Sequence, residues 1–123
     1  MTSGGCADVE LASAVQRLGY DSLTVQQQQL LPETTYRICV TALSQSLLSC
    51  VQALCRNSGT PPPVVIDRIQ AGIDAGVYEG WDPVRQCPCA VLDAWGARTA
   101  ALATAVKCTQ FLLRIRTIIT DAL

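Results

Sequence analysis

The sequence predicts an all-α protein, a compact bundle of four to six helices stapled by disulfides. Three observations carry that reading. Apolar residues recur at helical spacing with capping residues at the ends, while alternating strand patterns are nearly absent. Half of the 123 residues are hydrophobic, yet only one Phe, two Trp and three Tyr are aromatic. The core is therefore built from Ala, Val, Leu and Ile. Seven cysteines and no histidine offer covalent cross-links and remove most of the common catalytic and metal-binding chemistry.

The first helix is read from Val9 to Leu18, with Leu11, Val15 and Leu18 on one face. Asp8 and Glu10 near its start and Arg17 near its end suit the helix dipole, and Gly19 is expected as a left-handed cap. Thr24 and Gln27 have capping-box spacing for a short helix ending near Leu31, before Pro32. A long central helix follows from Glu33 to about Arg56. Its main stripe is Tyr36, Cys39, Val40, Leu43, Leu47, Cys50 and Leu54, and Leu48, Val51 and Cys55 form a neighbouring one. An apolar arc this wide belongs in the middle of a bundle.

The prolines at 61–63 end that helix and stiffen the connection at 57–63. Val64 to Ala75 reads as a further helix with Val65, Ile66, Ile69 and Ile73 inward and Gly76 as its stop. Residues 76–89 are expected to be an irregular loop in which Asp82-Pro83 could start one helical turn. The last helix begins near Ala90 or Ala97, with Gly96 as a break, and runs to about Thr120. One stripe holds Thr104, Cys108, Phe111, Ile115, Ile118 and Ile119. Leu102, Val106 and Leu113 lie nearly opposite, bounded by Arg98 and Arg116. A helix with two apolar faces either lies in the middle of the bundle, the favoured reading, or turns one face to a partner. All 123 residues are read as a single helical domain, with 1–6 a flexible N-terminal segment.

Cys6, Cys39, Cys50, Cys55, Cys87, Cys89 and Cys108 are expected to form three disulfides and leave one spare thiol. Cys39 and Cys50 cannot pair with each other, because eleven residues of helix separate them by ~16 Å. Cys6, in a Gly-rich start, is the favoured spare thiol and could bridge two chains. Reduced, buried thiols are the alternative. No metal or other cofactor is expected: zinc usually takes paired C-x₂₋₄-C units or Cys/His sets, and neither is present.

Without histidine no Ser–His or Cys–His nucleophile can be written, and the carboxylates are scattered, so the chain is not read as an enzyme. Net charge is −1 with no basic run, which argues against a nucleic-acid partner. The longest uncharged stretch, Ile38 to Cys55, carries six Ser, Thr or Gln residues. It is read as a buried helix rather than a transmembrane segment.

One stretch resembles a known family. Gly19-Tyr20-x-x-Leu23-Thr24, Leu31-Pro32-x-Thr34 and Tyr36-x-x-Cys39 resemble the middle of elicitins, small secreted helical sterol carriers with three disulfides. The resemblance covers about 20 residues with gaps, the cysteine order departs from the family's, and Cys87-Pro88-Cys89 has no counterpart there. That Cys-x-Cys is also similar to one in plant lipid-transfer proteins, whose adjacent Cys-Cys is missing here.

The functional expectation is a non-catalytic binding module, secreted or extracellular, its signal peptide removed, with a protein as the favoured partner. Tyr78, Trp81, Leu102, Val106 and Leu113 are the expected contact residues. The alternatives are a carrier of an apolar ligand such as a lipid or sterol, a self-assembling module or homodimer joined through the odd cysteine, and an intracellular adaptor with reduced thiols.

Overall fold

A computed structural model describes residues 4–122, with side chains up to residue 115. The expectations for Arg116, Ile118, Ile119 and the side chain of Thr120 lie outside the described residues. Five helices and one small β-ribbon follow in chain order: α1 Cys6–Arg17, α2 Val25–Leu30, α3 Glu33–Ser58, α4 Pro62–Asp74, β1 Gly80–Asp82, β2 Cys87–Cys89 and α5 Trp95–Ala122. Helix makes up 72% of the chain, so the helical reading stands at that level. The chain divides into two units between Leu92 and Asp93. The first holds α1–α4 and the ribbon; the second is built on α5.

In the first unit, α1 packs along α3, and α4 packs against both. One cluster contains Cys6, Val9, Val51, Cys55, Val65, Ile69 and Trp81; a second contains Ala12, Val15 and Leu47. The buried face of α1 is therefore Cys6, Val9, Ala12 and Val15. Leu11 and Leu18, expected inside, are exposed. On α3 the inward face is Ser44, Leu47, Val51 and Cys55. It runs along the border of the two stripes of the sequence reading, taking Leu47 from the main one, Val51 and Cys55 from the neighbouring one and Ser44 from neither, while Cys39, Leu43 and Cys50 are exposed. Ser44 is tolerated inside because its Oγ donates to the Ala12 carbonyl at 3.1 Å, tying α3 to α1.

Several local expectations hold. Thr24 and Gln27 form the reciprocal capping box of α2. Helix α3 stops before the prolines as expected, though the residue that ends it is Gly59, left-handed at φ 75° with its amide donating to Arg56 O. Val65 and Ile69 of α4 are buried, with Ile66 and Ile73 packed against their cluster. Gly76 follows α4 at φ 79°.

Other expectations are corrected. Gly19 is extended at φ −78° and caps nothing by a left-handed turn. Prolines 62 and 63 occupy the first turn of α4, where a missing N–H costs nothing. Gly96 lies in the first turn of α5 rather than breaking it. The 76–89 segment is not irregular: β1 and β2 pair antiparallel with Gly80 opposite Cys89, Trp81 opposite Pro88 and Asp82 opposite Cys87. Asp82 closes this hairpin instead of starting a helix, its Oδ1 accepting from the Val84 and Arg85 amides at 2.8 and 3.1 Å.

The cysteines depart most from expectation. No disulfide is present among the described residues, so the stapling has no support in the structure. Cys6 is not in a flexible tail; it opens α1 and is 0% exposed, as is Cys55. The exposed thiols are Cys39, Cys50 and Cys108.

Candidate binding site

The ribbon places two different chemistries on its two faces, because successive strand residues point to opposite sides. Trp81 and Pro88, directly opposite each other, share one face; Asp82, Cys87 and Cys89 share the other with Gly80. The Trp81 amide points away from β2 and donates to Gly4 O at 2.8 Å. Pro88, which has no N–H, therefore sits where β2 needs none.

Trp81 is 8% exposed and belongs to the main core cluster. The sequence leaves Trp81 open as an exposed contact residue or as a plug at the end of the bundle. Of the two, the structure shows the plug, since the side chain closes the apolar core where α4 meets the ribbon. An aromatic-poor core gains most from its largest side chain, which explains the choice. Tyr78, three residues earlier, is 47% exposed. Among the described residues, the indole Nε1 of Trp81 is the buried side-chain polar atom with no hydrogen-bond partner.

Beside this indole lies an open cleft of about 420 Å³, walled by Ile69, Val77, Trp81 and Pro88, with Arg68 and Glu79 also lining it. Its floor depends on Gly72. The Val77 amide donates to Gly72 O at 2.8 Å, and a Cβ at Gly72 would stand 3.0 Å from Val77 O. The chain can thus fold back tightly after α4 and carry residues 77–81 under the helix. A second cleft, of about 410 Å³, lies among Leu18, Tyr20, Tyr36, Arg37 and Val40. There the Tyr20 hydroxyl lies 2.6 Å from Leu31 O, and the Tyr36 hydroxyl donates to Leu18 O at 3.1 Å. The two rings meet tilted, with centroids 5.6 Å apart. These bonds clamp the connection between α1 and α3.

On the outer ribbon face, burial first and the Asp82 and Cys87 charges next push the Cys89 thiol above its ordinary range. The Arg85 and Val84 amides hold the Asp82 carboxyl below its own. Burial also raises the Cys55 thiol, partly opposed by a backbone hydrogen bond. Such thiols stay protonated near neutral pH and make poor nucleophiles. No group of three or more metal-ligating side chains converges among the described residues.

In the second unit, none of the described side chains of α5 is buried. Leu102, Val106 and Leu113 form the expected stripe at 39%, 44% and 60% exposure. Phe111, Leu112 and Ile115 are exposed as well. Arg98 lies 4.0 Å from Asp93, while Lys107 and Arg114 fall seven residues apart on one side of the helix. In the first unit, α3 is long and apolar enough to cross a membrane by length and composition, so the expected lack of any transmembrane segment is not confirmed. Its inward face packs on α1 and α4.

No family model, curated protein or solved structure matches the chain. The resemblance to elicitins rests on the residues quoted for it alone.

Proposed function

We propose that this protein is a non-catalytic binding module that takes a protein partner along α5. The observation carrying this reading is that apolar side chain after apolar side chain on α5 stands exposed from Trp95 to Ile115. A helix with apolar residues on two sides gains stability by laying one of them into a groove. Lys107 and Arg114 flank the Leu102–Val106–Leu113 stripe, and no acidic residue occurs between Trp95 and Thr120. The fitting partner is a protein groove with an apolar floor and an acidic rim.

An oxidising, extracellular setting with disulfide staples belongs to the same reading. Its support is the seven cysteines and the placement of Cys6 and Cys55 in one core cluster. Intact mass after alkylation, with and without reductant, counts any bridges. Seven alkylated thiols in protein never exposed to reductant would move the molecule to a reducing compartment.

The test of the binding reading substitutes Leu102, Val106 and Leu113 together by Asp. Purified partners identified by crosslinking should bind wild-type protein and lose affinity for the triple variant at unchanged Tm. Equal affinity for both forms would sink the reading. Binding to anionic vesicles alone would reassign the face to a membrane surface. A concentration-dependent dimer abolished by the triple variant would assign it to a second copy.

A further inference from the structure

The outer face of the ribbon carries an inference independent of α5. We propose that Cys87 and Cys89 form a site for one soft metal cation of the Cu(I) class, held in line between their two sulfurs. Three observations converge. Strand β2 sets both cysteines on one face, with Pro88 between them on the other. Both are only partly buried, and Gly80, opposite Cys89, has no side chain to cover it. The same face is rich in negative charge: Asp82 stands opposite Cys87, and Asp82, Cys87 and Glu79 all act on Cys89 as anions. Arg85, 3.9 Å from Asp82 and largely exposed, offsets only part of this. A cation arriving at the two sulfurs is therefore welcome there.

Strand spacing decides what the pair can do. Two residues apart on a strand, the Cα atoms stand ~6.6–6.8 Å from each other, the upper limit for a disulfide. The side chains rise side by side from the sheet, so the Cβ atoms stay beyond the ~3.5–4.5 Å that a direct S–S bond needs. One metal ion spans that gap. With metal–sulfur bonds of ~2.3 Å, a linear S–metal–S unit holds its sulfurs ~4.6 Å apart, which two such side chains reach by leaning together. Thiolate is the ligand that selects Cu(I), and two ligands in line satisfy that ion. Zinc closes its shell with four, and no group of three or more ligating side chains converges among the described residues. As each metal–sulfur bond forms, the thiol proton passes to solvent, and no electron moves. The site needs Cys87 and Cys89 as thiols and asks nothing of the other five cysteines.

The experiment uses the full chain with the exposed thiols elsewhere, Cys39, Cys50 and Cys108, changed to Ser. It is titrated anaerobically with Cu(I) against bathocuproine disulfonate, a coloured chelator of that ion. This protein should retain one equivalent and show a sulfur-to-copper charge-transfer band in the ultraviolet. Cys87→Ser or Cys89→Ser, added to that background, should weaken retention by about 10²–10⁴-fold, the advantage of two linked ligands over one. Copper K-edge absorption on the loaded background protein should show two sulfur neighbours, a readout that needs no further variant. No retained equivalent, retention undiminished in either single variant, displacement by equimolar Zn(II), or more than two sulfur neighbours would each overturn the assignment. So would a disulfide joining Cys87 to Cys89 in the isolated protein. Because none of these positions lies on the Leu102–Val106–Leu113 stripe, failure here and failure of the partner-binding reading are separable.

Discussion

Trp81 shows most clearly how much of an aromatic-poor core can rest on one side chain. Its removal as Trp81→Ala should cost about 3–5 kcal/mol, as large core truncations do. Trp81→Phe should cost much less, because deleting the unpartnered N–H offsets part of the lost packing. Urea midpoints for the two variants check the ordering. Asp82 provides a pH test. Its carboxyl is held low by the amides of Arg85 and Val84, so its contribution to stability is present above the ordinary carboxylate pKa. That contribution should disappear as pH falls through the lowered folded value, and Asp82→Asn should remove this part of the acid sensitivity in pH-dependent denaturation. The cysteines give a third expectation at this scale. Cys39, Cys50 and Cys108 should alkylate first, and Cys6 and Cys55, both in the core, last. Mass mapping over time reads the order. The type of each cysteine was plain in the sequence but its surroundings were not, since exposure is set by the helix packed against it. Cys6 sits in a Gly-rich start that looks mobile, yet α3 and α4 close over it.

Among the elements, existence was easier to read than facing. Helix α3 was legible because its apolar residues keep helical spacing, but two adjacent stripes made the arc too broad to choose between. The packing chose the side where Ser44 can bond across to α1, a contact between residues 32 apart that no local pattern announces. The ribbon escaped notice for the opposite reason. Gly-Trp-Asp and Cys-Pro-Cys are three-residue strands containing the residues that ordinarily argue against strands. The usable signal was Asp82-Pro83, which can close a turn as readily as open a helix. The candidate cleft was still harder to see, since it depends on the fold-back permitted by Gly72 and on Gly4 lying against β1. A Cβ at Gly4 would stand 2.7 Å from the Trp81 backbone nitrogen, and Gly4 has φ +67°. Gly4→Ala should therefore destabilise the first unit by about 2 kcal/mol or more, combining left-handed strain with a backbone clash. Thermal unfolding followed by Trp81 fluorescence in the Trp95→Phe background checks it.

At the scale of the whole molecule, charge is divided as the units are. Up to Leu92 there are five arginines against eight carboxylates; after it, four cations against two carboxylates. The small overall charge thus hides an acidic unit and a basic one, a contrast readable from the sequence once the boundary is known. Both hydrophobic clusters lie before Leu92. A chain ending at Leu92 should accordingly keep its cooperative unfolding and buried-Trp emission, and lose the partner binding assigned to α5. Circular dichroism and fluorescence on that truncation decide the matter.

The opening of α4 has one more consequence. A helix ordinarily begins with several backbone amides in need of acceptors, and that end attracts phosphate and carboxylate groups. Here Pro62 and Pro63 have no amide hydrogen, and the Val64 amide is already given to Pro61 O at 3.2 Å. The start of α4 is therefore electrostatically muted: it has little to offer an anion, and it leaves the neighbouring surface to neutral company.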